Sequence, residues 1–258
     1  MARDGTPTGA PTTLELLWGT AERPSRGPKP RLSVDKVVQA AIGVADAEGL
    51  DAVSMQRVAQ ELGYTTMSLY RYVSSKEQLV ELMVDTAIGS APEVEGVPGG
   101  WRAGIHILAR EMVAVFRRHP WLLRHKLEGP PQGPCSLSWL EQGLRAFSTS
   151  GLGSAEMVQA FMFLDGAVRE LARVLGDVEQ AQRRAGLTAD QAERDYGRFL
   201  RGIPADRYPA LAAVAADGAF EAADPADRPE VEVEIEFGIE RLLDGIEAYV
   251  AAQRAARE

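Results

Sequence analysis

The chemistry-bearing residues of this chain gather in one short stretch, Ser54 to Lys76, SMQRVAQELGYTTMSLYRYVSSK. Met55, Val58, Ala59 and Leu62 repeat at helical spacing and mark one buried face. Ser54 stands where a hydroxyl can cap the first turn. Gly63 follows the last apolar residue, where a left-handed backbone costs least. Thr65 or Thr66 can cap a second short helix whose inward face carries Leu69, Tyr70 and Val73. Its outward face is left with Thr65, Thr66, Met67, Ser68, Arg71 and Tyr72. These are short hydrogen-bonding groups, one methyl-bearing probe, a cation and a phenol, an inventory suited to base edges and phosphates. Any helical hairpin has a Gly-containing turn, so the pattern alone leaves a plain hairpin open beside a helix-turn-helix.

The elements that must position these residues are legible on both sides. Ser33 caps a preceding helix with Val34, Val37, Val38, Ala41, Ile42 and Ala45 as its stripe, stopped by Gly49. Ser74 with Glu77 reads as a capping box opening a fourth helix through Leu79, Leu82 and Met83 to about Ser90. A break follows at 91–100. Beyond it the chain reads as helices throughout: a stripe of Trp101, Ile105, Ala109, Met112 and Phe116; a short WLLRHKL helix behind Pro120; a rigid GPPQGP loop; then Leu137, Leu140, Leu144 and Phe147. A long helix from Ser154 to about Ala185 is apolar nearly all round its first half, which predicts burial on more than one side. Thr188 with Gln191 is a further capping box. Residues 230–237 alternate like an edge strand, but Ile235, Ile239, Leu242, Leu243, Ile246, Tyr249 and Val250 continue at helical spacing, so the segment is assigned to a helix.

Val58-Ala59, Leu62-Gly63, Ser68-Leu69-Tyr70, Tyr72-Val73 and Lys76-Glu77 with Leu79 resemble the DNA-binding head of the tetracycline-repressor (TetR) family over about residues 33–90. HPWLL at 119–123, the GP–Leu137–Trp139-Leu140-Glu141 segment and LDGAVREL at 164–171 resemble the tetracycline-repressor-type C-terminal domain. The resemblance implies an all-α chain: a flexible basic arm (1–30), a helix-turn-helix domain (31–90) and a helical effector-binding and dimerisation domain (91–258). It implies a homodimer on inverted-repeat double-stranded operator DNA, released by a small apolar or amphipathic effector. Ser54, Tyr70, Tyr72 and Lys76 would contact phosphates and Thr65, Thr66, Met67 and Ser68 would face bases, with Arg71 able to do either. Dimer contacts would come from the outer face of the long helix and from 235–250. The side chains of the recognition helix differ from the founding member's, so the operator is not inherited with the fold.

The net charge of −9 looks wrong for such a partner until it is divided. Residues 21–80 are nearly balanced and the remainder is acidic, which argues against non-specific coating of DNA rather than against a docked head. Within 24–31, PSRGPKPR places Arg26, Lys29 and Arg31 among prolines that keep the chain extended. The segment reads either as an arm laid on phosphates or in a minor groove, or as a solubilising leader. LELLW at 14–18 is an apolar patch able to dock, with no stated destination.

The effector is expected among Trp101, His106, Phe116, Trp139, Phe147, Phe163, Asp165 and Arg169, aromatics with a few polar groups. Asp165 and Arg169, four apart, read as an internal ion pair or as the polar contact of a pocket. The histidines have no metal-ligand partner at helical spacing, and no phosphate loop, Ser-elbow or acid cluster is present. Neither enzyme, cofactor nor metal is expected. Cys135 is the single cysteine, which excludes an internal disulfide. No apolar run spans a bilayer and no signal peptide is apparent, so a cytoplasmic location without membrane contact is expected. The alternatives are a ligand-independent regulator and a helical enzyme that carries a helix-turn-helix head.

Overall fold

The computed structural model describes residues 11–20, 32–126, 129–220 and 231–256, and among these every regular element is helical. The head begins with α2 (Val34–Glu48). Ser33 accepts from the Lys36 amide at 3.3 Å, and Gly49, at φ 89°, ends the helix. Val37, Val38, Ala41, Ile42, Val44 and Ala45 are buried against α3 (Met55–Leu62) and α5 (Lys76–Ile88). Between α3 and α5 lies α4 (Thr66–Leu69). α5 is the linker helix. Its cap is Ser75, accepting from the Gln78 amide at 3.1 Å, not Ser74. Ser74 instead donates from its amide and hydroxyl to Gln78 Oε1, at 2.7 and 3.0 Å.

The expected flexible arm is corrected in part. Residues 13–17 form α1 (Thr13–Leu17), held by a Thr12–Glu15 capping box. α1 docks on α5, with Leu16 and Leu17 packed against the core. Gln78 Nε2 donates to the Pro11 carbonyl at 3.0 Å, and Trp18 Nε1 to that of Gln132 at 3.0 Å. Arg26, Lys29 and Arg31 lie outside the described residues.

The body is built on α6 (Gly100–Arg118), packed between α7 (Pro134–Phe147), α8 (Ser154–Ala185) and α11 (Val231–Ala255). A 3₁₀ turn, Pro120–Arg124, follows α6, while α9 (Ala189–Arg201) and α10 (Pro209–Ala216) pack on each other beyond α8. The Thr188–Gln191 capping box is present at the start of α9. α7 and α8 approach closely at Gly143, where a Cβ would collide with the Phe161 ring. One contiguous apolar cluster runs from Leu32 in the head to Val250 in the last helix.

Two joints tie head to body. At the first, Asp85 of α5 is buried and accepts from the Cys135 and Ser136 amides, at 3.2 and 2.8 Å, and from the Ser136 hydroxyl at 2.8 Å. A carboxylate at a helix N-terminus satisfies orphan donors and the positive end of the dipole together. Gly133 is required there, because any Cβ would collide with that carboxylate. Trp139 Nε1 adds a bond to the Gly89 carbonyl at 2.9 Å. At the second joint, Asp46 of α2 meets the Pro120–Arg124 turn.

The long helix is not buried all round within one chain. Phe161, Leu164 and Val168 face the core, whereas Val158, Met162, Phe163 and Leu171 are exposed. No described helix is long and apolar enough to cross a membrane.

Candidate functional site

Local physics sets the head's geometry. Ser54 accepts from the Arg57 amide at 3.1 Å and starts α3. Gly63 takes φ 72°, a left-handed cap that turns the chain within two residues toward Thr65 and α4. Arg57 is engaged within the head. It bridges Glu48 at 2.7 Å and Glu61 at 2.9 Å, which fastens α3 to the end of α2.

α4 is one turn long, and only Leu69 of it is fully buried. Val73 joins Leu69 in the core. Met67 is 72% exposed, and Thr65, Tyr70, Arg71 and Lys76 are also exposed, with Thr66, Ser68 and Tyr72 half-buried. The two tyrosines exchange expected places. Tyr72 packs against the core and Tyr70 faces solvent. The helix gives way to turns after Leu69, so helical extrapolation to Tyr70 and Tyr72 fails. The Thr65 and Ser68 hydroxyls lie 2.9 Å apart, each limiting the other's rotamers. Thr66, Met67 and Ser68 thus stand on a short, pre-shaped projection, with Lys76 at the start of the next helix.

Sequence reasoning missed Gln78. Its side-chain amide joins Ser74 and the α1 segment while its backbone N–H donates to Ser75, and together they fix Lys76 relative to the head. The signal was present as a Ser-Ser-x-x-Gln pattern, but the preceding Glu77 is as good a capping partner on paper.

The structure divides the expected effector residues. His106 Nε2 stands 2.6 Å from Glu240 Oε1, next to an Arg102 network reaching Glu240, Asp244 at 2.8 Å and Glu247 at 3.1 Å. Arg102 and then His106 hold the Glu240 carboxyl below its ordinary range. This constellation fastens α6 to α11, so the expectation for His106 is corrected to a structural pair. Trp139 and Phe147 are buried, and Trp101 is tilted against Phe147 at 5.9 Å, so these three build the α6–α7 core. Phe163 is 64% exposed on the outer face of α8, opposite any interior site.

Phe116, Asp165 and Arg169 do come together. Arg169 Nη2 donates to the Leu122 and His125 carbonyls, at 2.6 and 2.9 Å, and its guanidinium lies 5.7 Å from the Phe116 ring centre. No salt bridge joins it to Asp165, so the ion-pair expectation is corrected: backbone carbonyls take the guanidinium. Burial pushes the Asp165 carboxyl up, with Arg169's charge offsetting part of the shift. An open cleft of about 520 Å³ lies nearby, between the end of α2, α6, the Pro120–Arg124 turn and α8, and Phe116 is in its wall. No described group of His, Cys, Asp and Glu is arranged to hold a metal.

The chain's similarities agree with this division into head and body. The profile of bacterial regulatory proteins of the tetR family matches residues 37–83, and that of the tetracyclin repressor-like C-terminal domain matches 91–250. The HTH-type transcriptional repressor DrrR1 of Streptomyces coeruleorubidus is 43% identical over 94% of this chain and 87% of its own. An HTH-type transcriptional regulator of Saccharopolyspora erythraea is 32% identical, over 96% of each. Among solved structures, ActR of Streptomyces coelicolor in complex with actinorhodin superposes with a TM-score of 0.69. It is 28% identical and covers 86% of this chain and 99% of its own.

Proposed function

The chain belongs to the tetracycline-repressor family of DNA-binding transcriptional regulators, and we propose that it is a homodimeric repressor released from an inverted-repeat operator by a small amphipathic effector. The observation that carries the reading is mechanical. An exposed recognition turn sits on a head fixed to the body at two separate joints, Asp85–α7 and Asp46–Trp121. A change among the body helices that shifted either joint would move the head with it. The complex of the similar protein ActR with actinorhodin supports a small-molecule ligand.

Dimerisation is supported by the apolar faces left uncovered on one chain. Val158, Met162, Phe163 and Leu171 of α8 are exposed, as are Phe237 and Tyr249 of α11. Exposed aromatic clusters of this kind mark association surfaces. A two-fold dimer sets two recognition turns about 34–36 Å apart, one turn of B-DNA, so the operator is an inverted repeat. Thr65, Thr66, Met67 and Ser68 are its base-facing set. Ser54, Tyr70, Arg71 and Lys76 are its phosphate set, with Tyr72 confined to the edge by its packing. An effector acts only if it binds the DNA-incompetent arrangement more tightly, and operator DNA then weakens the effector by the same factor. Selection of bound duplexes from a random pool, followed by footprinting, tests the reading. A palindromic site protected on two successive grooves is expected, and recovery of only single, non-palindromic half-sites would overturn the dimeric repressor.

A further inference from the structure

Asp165 is an inward-facing carboxylate without a protein donor. It follows Leu164 directly, and Phe161 and Arg169 lie one turn away on either side. Phe161, Leu164 and Val168 are all buried, so this is the face of α8 that meets α6, α7 and the Pro120–Arg124 turn. Arg169, the neighbouring cation, spends its hydrogen bonds on the Leu122 and His125 carbonyls. No described residue donates a hydrogen bond to Asp165. Among the described residues, no fully enclosed side-chain oxygen or nitrogen lacks a partner. The Asp165 oxygens are therefore not sealed against protein.

An ionised carboxylate largely withdrawn from water and left without donors opposes folding. Burial accordingly pushes its protonation upward. A half-buried carboxylate that no protein group caps can take a donor from outside the chain. The strongest counterpart is a charged donor, since hydrogen bonds between ions are about twice as strong as neutral ones. Phe116, beneath the Arg169 guanidinium, places aromatic surface beside the same cluster.

We propose that Asp165 is the specificity-determining anion of the effector site and that the effector is an amphipathic amine, its ammonium on Asp165 and its apolar body among the aromatic side chains. This rests on the reading that the body holds a small-molecule site, and it adds the ligand's chemical class.

The test uses the full-length protein and two matched probes, 1-naphthylmethylamine and 1-naphthylacetate, followed by calorimetry and thermal shift. The amine should bind roughly tenfold or more tightly than the acid, and Asp165→Asn should erase that preference. Equal binding of the two probes, or a preference that survives in Asp165→Asn, overturns the proposal. Asp165→Leu without ligand should be at least as stable as the wild type; a marked loss of stability would show a structural role and overturn it too. Operator affinity is measured in parallel by anisotropy. An amine that binds through Asp165 and leaves operator affinity unchanged defeats the release mechanism and not this assignment. Release by either probe regardless of Asp165 does the reverse.

Discussion

Trp121 of the body donates its indole N–H to Asp46 Oδ1 of the head at 2.8 Å, and His119 Nδ1 stands 2.8 Å from the same oxygen. A carboxylate can only accept, so the His119 ring carries a proton on Nδ1. One oxygen thus receives two donors from the segment that ends α6, and both donors leave the head if α2 moves. Trp121 is almost wholly buried, so its N–H has no ready substitute partner. Asp46→Ala should cost about 1–3 kcal/mol of stability, the penalty of an orphaned buried donor. Asp46→Asn, which keeps an acceptor, should retain most of it. Urea unfolding measures both, and faster amide exchange at 119–124 in the alanine variant would localise the loss.

The proposed DNA contacts divide into positioning and reading. Lys76→Ala should weaken binding to all sequences alike and flatten the salt dependence by about one unit. Ser68→Ala or Thr66→Ala should shift preference at one base pair by about 1–3 kcal/mol. A Lys76→Ala protein with altered base preference and an unchanged salt slope would invert these roles. Binding isotherms at several salt concentrations decide.

The basic segment needs a charge test rather than a truncation. Removing residues 1–30 would also strip α1 from α5 and break the Gln78–Pro11 bond. Replacing Arg26, Lys29 and Arg31 together with alanine leaves α1 in place. Reduced affinity is expected, chiefly on operators with A·T-rich, narrow-grooved flanks. Unchanged affinity on such flanks makes the segment a leader.

The proposed dimer rests on the outer face of α8. Phe163→Glu with Met162→Glu puts charge on an apolar surface that touches nothing within the chain's core, so each protomer should still fold. Light scattering should report monomer, and operator affinity should collapse. A variant that stayed dimeric would move the interface elsewhere.

Two acids respond to pH in opposite senses. Arg102 and His106 hold Glu240 below its ordinary range, so its contribution exists above the unfolded value near 4.5 and is lost as pH falls through the folded one. Burial raises Asp165, so its contribution is fully present below its unfolded value of 3.8 and is lost as pH rises through the folded one. Glu240→Gln should remove an acid-labile component of stability. Asp165→Asn should instead remove a component that weakens toward neutrality. Thermal melts across pH 3–7, about the range of these carboxylates, separate the two slopes.

What the sequence disclosed follows from what is local. Ser33, Gly49, Gly63 and the Ser154–Ala185 span are fixed by caps and periodicity, and the structure has them there. The final helix is helical from Val231 despite its alternating start. Two failures are local, the Ser74 cap and the helical extrapolation through Tyr70 and Tyr72; the others are relational. Phe161 and Phe163 are the same residue type two positions apart, about 200° round a helix, so one is core and the other surface. Nothing in composition says which. Asp85 looks like any solvent-facing acid of a linker helix until α7 is placed beside it. α1 is too short for periodicity to name its partner. His106 was visible as a polar residue beside an apolar stripe, but Glu240 lies far along the chain.

The Asp85 joint also decides where this protein can be recombined. Asp85 belongs by sequence to the helix that carries the head, yet everything it binds, Cys135, Ser136 and the space left by Gly133, belongs to the body. A chimera that joined this head to a foreign sensor just after residue 88 would bury a carboxylate against a helix start not built for it. Crossing over instead between Leu79 and Asp85 would let each parent keep its own lock and keyhole. Transferable specificity in such proteins depends less on the linker's length than on which side of the cut that one acid falls.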